Sequence, residues 1–234
     1  MKRYKNLLLI GTSHIARESL DEVRKTIEAE KPAIVALELD RKRLPALLSP
    51  PKKKKLPAIH RIGVKGFLFS LLGSWAERKL GELVGMSPGS EMKEAVLLAR
   101  KNNLRIVLID QDIEVTLQRF SKALSWKEKW NFLVDLFKAF VLRKKEVDFD
   151  LKKVPGRKII QTMLAKVKER YPNIYRVLID ERNEVMAHRL RMLMQHHPDE
   201  KIMVVVGAGH EEGLMALLQE ERIQYSFSVG KNNI

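Results

Sequence analysis

The chain predicts an α/β fold: a mainly parallel sheet of about four to five strands, helices on both faces and a large helical insertion. Three observations predict it. The stretches Leu7–Gly11, Ala33–Leu39, Arg105–Asp110 and Ile202–Gly207 are apolar runs, interrupted only by Glu38 and by the two end residues of the third. Strands covered on both faces read this way, whereas half-exposed strands alternate. Between the first two stretches, Leu20, Val23 and Ile27 recur at helical spacing, which makes a strand–helix–strand unit. From Asp112 to Gln195 the pattern is helical almost throughout, broken near Val154 and Tyr171.

The remaining elements follow in order. Glu91–Asn103 reads as the helix before the third strand, entered at Ser90 as N-cap with Glu91 in its first turn. Glu211–Arg222 is the helix after the fourth strand, and Gln224–Val229 is expected to add a final strand. In the insertion, Trp126, Trp130, Leu133, Phe137 and Phe140 share one apolar stripe, expected to pack on the domain or on a second subunit of a homodimer. Further on, the apolar face runs through Val177, Val185 and Met192, and through Leu178, Met186 and Leu193. Glu181 and Arg182 fall in those rows. Charges on a buried stripe are costly unless paired or functional, so they read equally as an internal salt bridge or as groups reaching a pocket. At 234 residues the chain is expected to form a single α/β domain with helical insertions at about 57–90 and 112–195.

Composition narrows the class. A hydrophobic fraction of 45% with 31% charged residues describes a folded globular protein. The absence of cysteine excludes disulfides and thiolate metal sites, and with abundant Lys, Glu and Arg gives a thermophile-like composition. A net charge of +15 raises nucleic acid and anionic membrane as partners. The sharpest basic cluster, Lys52–Lys55, lies between prolines and reads as a solvated loop without a nucleic-acid recognition motif, which leaves nucleic acid a minor alternative. No signal peptide or membrane-length apolar run is visible. Gly63–Trp75 is too short and contains Lys65, so it reads as a lid, a dimer contact or a membrane-surface element on a soluble, cytoplasmic chain.

Polar residues gather at the strand ends. The first strand ends at Gly11 and delivers His14, and the second delivers Glu38 and Asp40. The third delivers Asp110, while the fourth ends at Gly207 and delivers His210. In a parallel sheet these ends share one edge, where such folds bind ligands. Small residues let the chain turn tightly there. Each histidine then begins a helix, whose positive N-terminus favours neutral imidazole, the form a metal ligand or general base needs. His60, His188, His196 and His197 lack this setting.

These pieces together resemble the TraB/PrgY family, which is related to the Tiki proteins. The resemblance rests on "GTSH", "ELDRKRL", "PGSEM", "LIDQDIEVTLQR", "DERNEVMA" and "VVGAGHEEGL", in that order over most of the chain. The family's hallmark is a pair of Gly-x-x-His motifs, here Gly11 to His14 and Gly207 to His210, with a glutamate, here Glu38. Where the family commonly has Asp-Arg, this chain has Asp110–Gln111. Archaeal relatives often continue into membrane segments. The Tiki branch implies metal-dependent proteolysis, and the bacterial branch implies control of peptide pheromones.

The expected function is a divalent-metal-dependent, peptidase-like hydrolase. His14, Glu38 and His210 are the expected ligands of Mn, Co or Zn, with Asp110 as a further ligand or as the group orienting one. Glu181 is the candidate base and Arg182 the charge stabiliser. Gly11, Arg43, Glu91, Arg119 and Gly207 are candidate pocket residues. The alternatives are metal-free acid–base chemistry on the same residues and sequestration of a peptide without cleavage.

Overall fold

The computed structural model describes residues 1–12, 17–49, 90–128, 130–131, 134–135 and 157–231. His14, the Lys52–Lys55 loop, Gly63–Trp75 and the second half of the Trp126 helix lie outside the described residues. The chain divides into two compact units. The first comprises Met1–Pro50, Gly89–Asp112 and Ile179–Ile234, and the second Pro51–Pro88 and Ile113–Leu178.

The first unit is the sheet. In chain order it contains β1 (Lys2–Tyr4), β2 (Leu7–Thr12), α1 (Arg17–Glu30), β3 (Ile34–Leu37), α2 (Arg43–Leu48), α3 (Ser90–Lys101) and β4 (Arg105–Leu108). After α4 (Ile113–Ala123), α5 (Arg157–Arg170) and α6 (Pro172–Tyr175) of the second unit come α7 (Glu181–His196), β5 (Ile202–Gly207) and α8 (Ala208–Lys231). The strand order is β1-β2-β5-β3-β4. Only β1 is antiparallel; β2, β5, β3 and β4 run parallel. The last strand in sequence is thus the central one. Register places Gly11 beside Val206 and Thr12 beside Gly207.

Alternate residues of each strand feed two cores. Leu7, Leu9, Ile34, Ala36, Val204 and Val206 face Met186, Ala187 and Leu190 of α7 and Leu214 and Leu218 of α8. Ile10, Val35, Leu37, Met203 and Val205 face Val23 and Ile27 of α1 and Met92, Ala95 and Val96 of α3. β2, β3 and β5 are buried on both sides, which is why they read as unbroken apolar runs. From β2 to β3 the chain crosses the sheet in one direction with α1 on one face. From β4 it returns to β5 with α7 on the other, the swap of faces that a uniform crossover hand requires when direction reverses.

Two expectations are corrected. Gln224–Val229 is not a strand: it continues α8, which runs unbroken to Lys231. The fifth strand is instead Lys2–Tyr4, folded back on β2 by a two-residue turn in which Lys5 takes a left-handed φ of 48°. Three residues are too few to show a periodicity. The second correction concerns the helix of Glu181 and Arg182. A π-helical turn, Arg176–Asp180, precedes α7 and adds a residue to the repeat. The inward face therefore becomes Asn183, Met186, Ala187, Leu190 and Met194, while Met192 of the expected stripe is 44% exposed.

The second unit contains α4 (Ile113–Ala123), α5 (Arg157–Arg170) and α6 (Pro172–Tyr175) among its described residues. Leu117, Phe120 and Val177 are buried in it. Its polar joint is Glu128, itself 1% exposed. One carboxylate oxygen accepts from Ser125 N at 3.0 Å, Ser125 Oγ at 2.9 Å and Asn173 Nδ2 at 3.0 Å. The other accepts from Asn173 N at 2.7 Å at the start of α6. Ser125-x-x-Glu128 is a capping box that also serves a second helix. At its first two positions the Trp stripe does not pack on its own chain: Trp126 is 84% exposed and Trp130 66%.

Candidate functional site

The carboxyl ends of β2, β5, β3 and β4 share one edge of the sheet. α3 runs back from that edge to the amino end of β4 and α8 leaves directly from β5, so the N-termini of both face it, whereas α7 reaches it as the continuation of the π-helical turn Arg176–Asp180. Partial positive charge from the free N–H groups of α3 and α8 favours carboxylates there. Glu38, Asp40, Glu91, Asp110 and Glu211 are all buried.

Glu38 follows β3, its backbone held by a bond from Glu38 N to Val205 O at 3.0 Å. Its Oε2 accepts from Gly207 N at 2.6 Å, so the second glycine motif contributes a backbone donor. Oε1 accepts from Arg182 Nη2 and lies 3.3 Å from His210 Nε2. Asp110 accepts both teeth of the Arg182 fork, Nε on Oδ1 and Nη2 on Oδ2, each at 2.9 Å. Gln111 N donates to Oδ1 at 2.8 Å and Arg43 Nη1 to Oδ2 at 3.3 Å. Arg189 Nη1 donates to the Asp110 carbonyl. Arg43 is itself placed by a turn in which Asp40 Oδ1 accepts from Lys42 N and Arg43 N.

Arg182 therefore joins two buried carboxylates from two strands. Burial pushes its pKa down, but the charges of Glu38 and Asp110 outweigh that and hold it above the ordinary arginine value. The Arg-bridged arrangement supports the salt-bridge reading of this helix position and also fixes Glu38 beside His210.

His210 is 4% exposed, in the first turn of α8. Its Nδ1 sits 2.7 Å from Asn183 Oδ1. The Asn183 amide nitrogen is turned to Gly213, where an added Cβ would collide with it. With the oxygen toward the ring, Nδ1 carries the proton and donates. In neutral imidazole the Nε2 lone pair then points at Glu38 Oε1. That oxygen, 3.3 Å from Nε2, already accepts from the Arg182 guanidinium.

The two glycine motifs meet directly. The space a Cβ would take at Gly11 is filled by the Glu211 carboxylate, so Gly11 is small because the residue after His210 lies against it. Thr12 Oγ1 donates to Val206 O at 3.2 Å across the same strand pair.

Of the candidates drawn from the sequence, the structure brings together Glu38, Asp110, Arg182, Arg43, Gly207 and His210, with Gly11 on the adjacent strand. Glu91 is 1% exposed in the first turn of α3, at the same edge. Glu181 is half-buried at the start of α7. Arg119 lies exposed on α4 in the second unit. Sequence reasoning missed Asn183 and Glu211. Each adjoins a residue it had singled out, Asn183 after Arg182 and Glu211 after His210.

Among the described residues no group of three His, Asp or Glu is set to hold a metal ion. The 3.3 Å between His210 Nε2 and Glu38 Oε1 falls within the roughly 3.0–3.5 Å that separates neighbouring ligands on one first-row cation.

The family model described as TraB/PrgY/gumN matches residues 2–226. An uncharacterized protein of Methanocaldococcus jannaschii is 36% identical over 221 residues, covering 92% of this chain and 54% of that protein. The TraB domain-containing proteins of mouse and human are 27% and 26% identical over 196 residues, covering 78% of this chain and 51% of theirs. The chain thus spans about half the length of these relatives.

Proposed function

Because this chain belongs to the TraB/PrgY/gumN family, we propose that the sheet-edge cluster is the active site of a metal-dependent hydrolase acting on peptides. The observation that carries the reading is the convergence of His210 Nε2 and Glu38 Oε1, with the other imidazole nitrogen secured by Asn183. His210 and Glu38 supply one neutral nitrogen and one carboxylate oxygen, a donor set suited to Mn, Co or Zn, and His14 of the first motif would complete it. When bound, such an ion lowers the pKa of a coordinated water and polarises the scissile carbonyl.

The chain's own residues do the rest. Asn183 fixes the tautomer and plane of His210. Gly207 N and Arg182 fix both oxygens of Glu38, and Asp110 fixes Arg182 through its fork. Arg43, whose side chain is 44% exposed, is a cation of the cluster open to solvent and suits a substrate carboxylate or a developing oxyanion. Glu181 and Glu211 are the candidate proton carriers, each adjacent in sequence to a residue of the cluster.

One observation favours a second reading. Arg182 already offsets the charge of Glu38, so His210 could act with Glu38 as an acid–base pair without a metal.

Metal content by mass spectrometry, beside a His14→Ala/His210→Ala double variant, separates these. Stoichiometric metal lost in the variant, with peptide cleavage abolished by chelation, is the expected result. Cleavage that survives exhaustive chelation would establish the acid–base reading. Stoichiometric loss of free peptide without new products would replace both with sequestration.

A further inference from the structure

We propose that the second unit docks on an anionic lipid bilayer through the exposed indoles of Trp126 and Trp130 and the lysines around them. The inference is independent of the sheet-edge site. It starts from charge. The first unit carries 20 Lys and Arg against 20 Asp and Glu, whereas the second carries 24 against 9, so the whole +15 belongs to the second unit.

Side-chain placement sharpens the asymmetry. Arg119, Lys122, Lys127, Lys166, Lys168, Arg170 and Arg176 are all exposed. Two acids of the same region, Glu128 and Asp135, are engaged by its own residues. Glu128 is buried in its capping joint, and Asp135 accepts from Arg170 Nε and Tyr171 Oη, each at 2.6 Å.

Beside Lys122 and Lys127 in the chain stand two tryptophans, 84% and 66% exposed, four residues apart on one helical face. Exposed indoles of this size are unusual on a water-facing helix and usual where a helix meets a membrane interface. A second copy of the chain is a poor occupant, since it would set +15 against +15. The cations are 17 lysines to 7 arginines. Point charges suit a diffuse sheet of headgroups, whereas planar arginine forks dominate nucleic-acid recognition.

The test is co-sedimentation of the full chain with phosphatidylcholine vesicles containing or lacking about 30% phosphatidylglycerol, with tryptophan quenching by brominated acyl chains. Binding only to anionic vesicles, with quenching, is expected. Trp126→Ala/Trp130→Ala, checked for unchanged circular dichroism, should weaken partitioning roughly tenfold or more and remove most of the quenching. Lys122→Glu/Lys127→Glu should weaken it by a similar factor, and about 0.5 M salt should do the same. Equal binding to neutral vesicles, or vesicle binding unaffected by the tryptophan variant, would overturn the proposal. So would binding to RNA or DNA, or a Trp-dependent dimer, without vesicle partitioning.

Discussion

At Arg182 one side chain holds two strands together, and the cost of removing it is correspondingly large. Arg182→Leu strands Glu38 and Asp110 as buried carboxylates and is expected to destabilise the chain by about 3–5 kcal/mol, measured by denaturant unfolding. Arg182→Lys should recover only part of this, because an ammonium cannot reproduce the two-toothed bond to Asp110. His210 offers a spectroscopic test. Nitrogen-15 NMR should show its proton on Nδ1, and Asn183→Leu should abolish that preference with the fold retained. Gly213→Ala should do the same indirectly, since the new methyl group takes the space of the Asn183 amide. An unchanged tautomer in both variants would show that Asn183 does not govern the ring.

Among the elements, the π-helical turn Arg176–Asp180 decides which residues of α7 face inward. Deleting one residue from this turn should restore the straight-helix phase, turn Asn183 and Met186 away from the sheet and cause gross destabilisation. The other decisive joint is Glu128. Burial pushes its pKa up, but the donors of Ser125 and Asn173 outweigh burial and hold it below the ordinary glutamate value of 4.5. A carboxyl lowered on folding contributes stability above the unfolded value and loses it as pH falls through the lowered one. Acid unfolding of the second unit should therefore steepen below about pH 4.5. Glu128→Gln should flatten that limb and cost about 1–3 kcal/mol at neutral pH. Identical acid limbs in the two proteins would contradict the assignment.

Across the whole molecule, charge and site separate. The neutral unit holds the sheet-edge cluster and the cationic unit holds the exposed tryptophans. Metal loading should reflect this division. Added Mn, Co or Zn should raise the melting temperature of the wild-type chain, leave His210→Ala unchanged and still stabilise Trp126→Ala/Trp130→Ala. Stabilisation of all three alike would place the metal elsewhere.

The sequence by itself determined the sheet, because strands buried on both faces must be apolar, as β2, β3 and β5 are, and the half-buried β4 is apolar after Arg105. It also determined that Glu38, Asp110 and His210 would share an edge, since parallel strands end on one side. Only tertiary structure could decide the rest. That β5 lies between β2 and β3, bringing Gly11 beside Val206, depends on pairings nearly two hundred residues apart. No local pattern encodes them. The inward turn of Arg182 and Asn183 depends on the π-helical turn, which has the same composition as ordinary helix. The outward turn of Trp126 and Trp130 was equally hidden, because an apolar stripe has one periodicity whether a core covers it or solvent does.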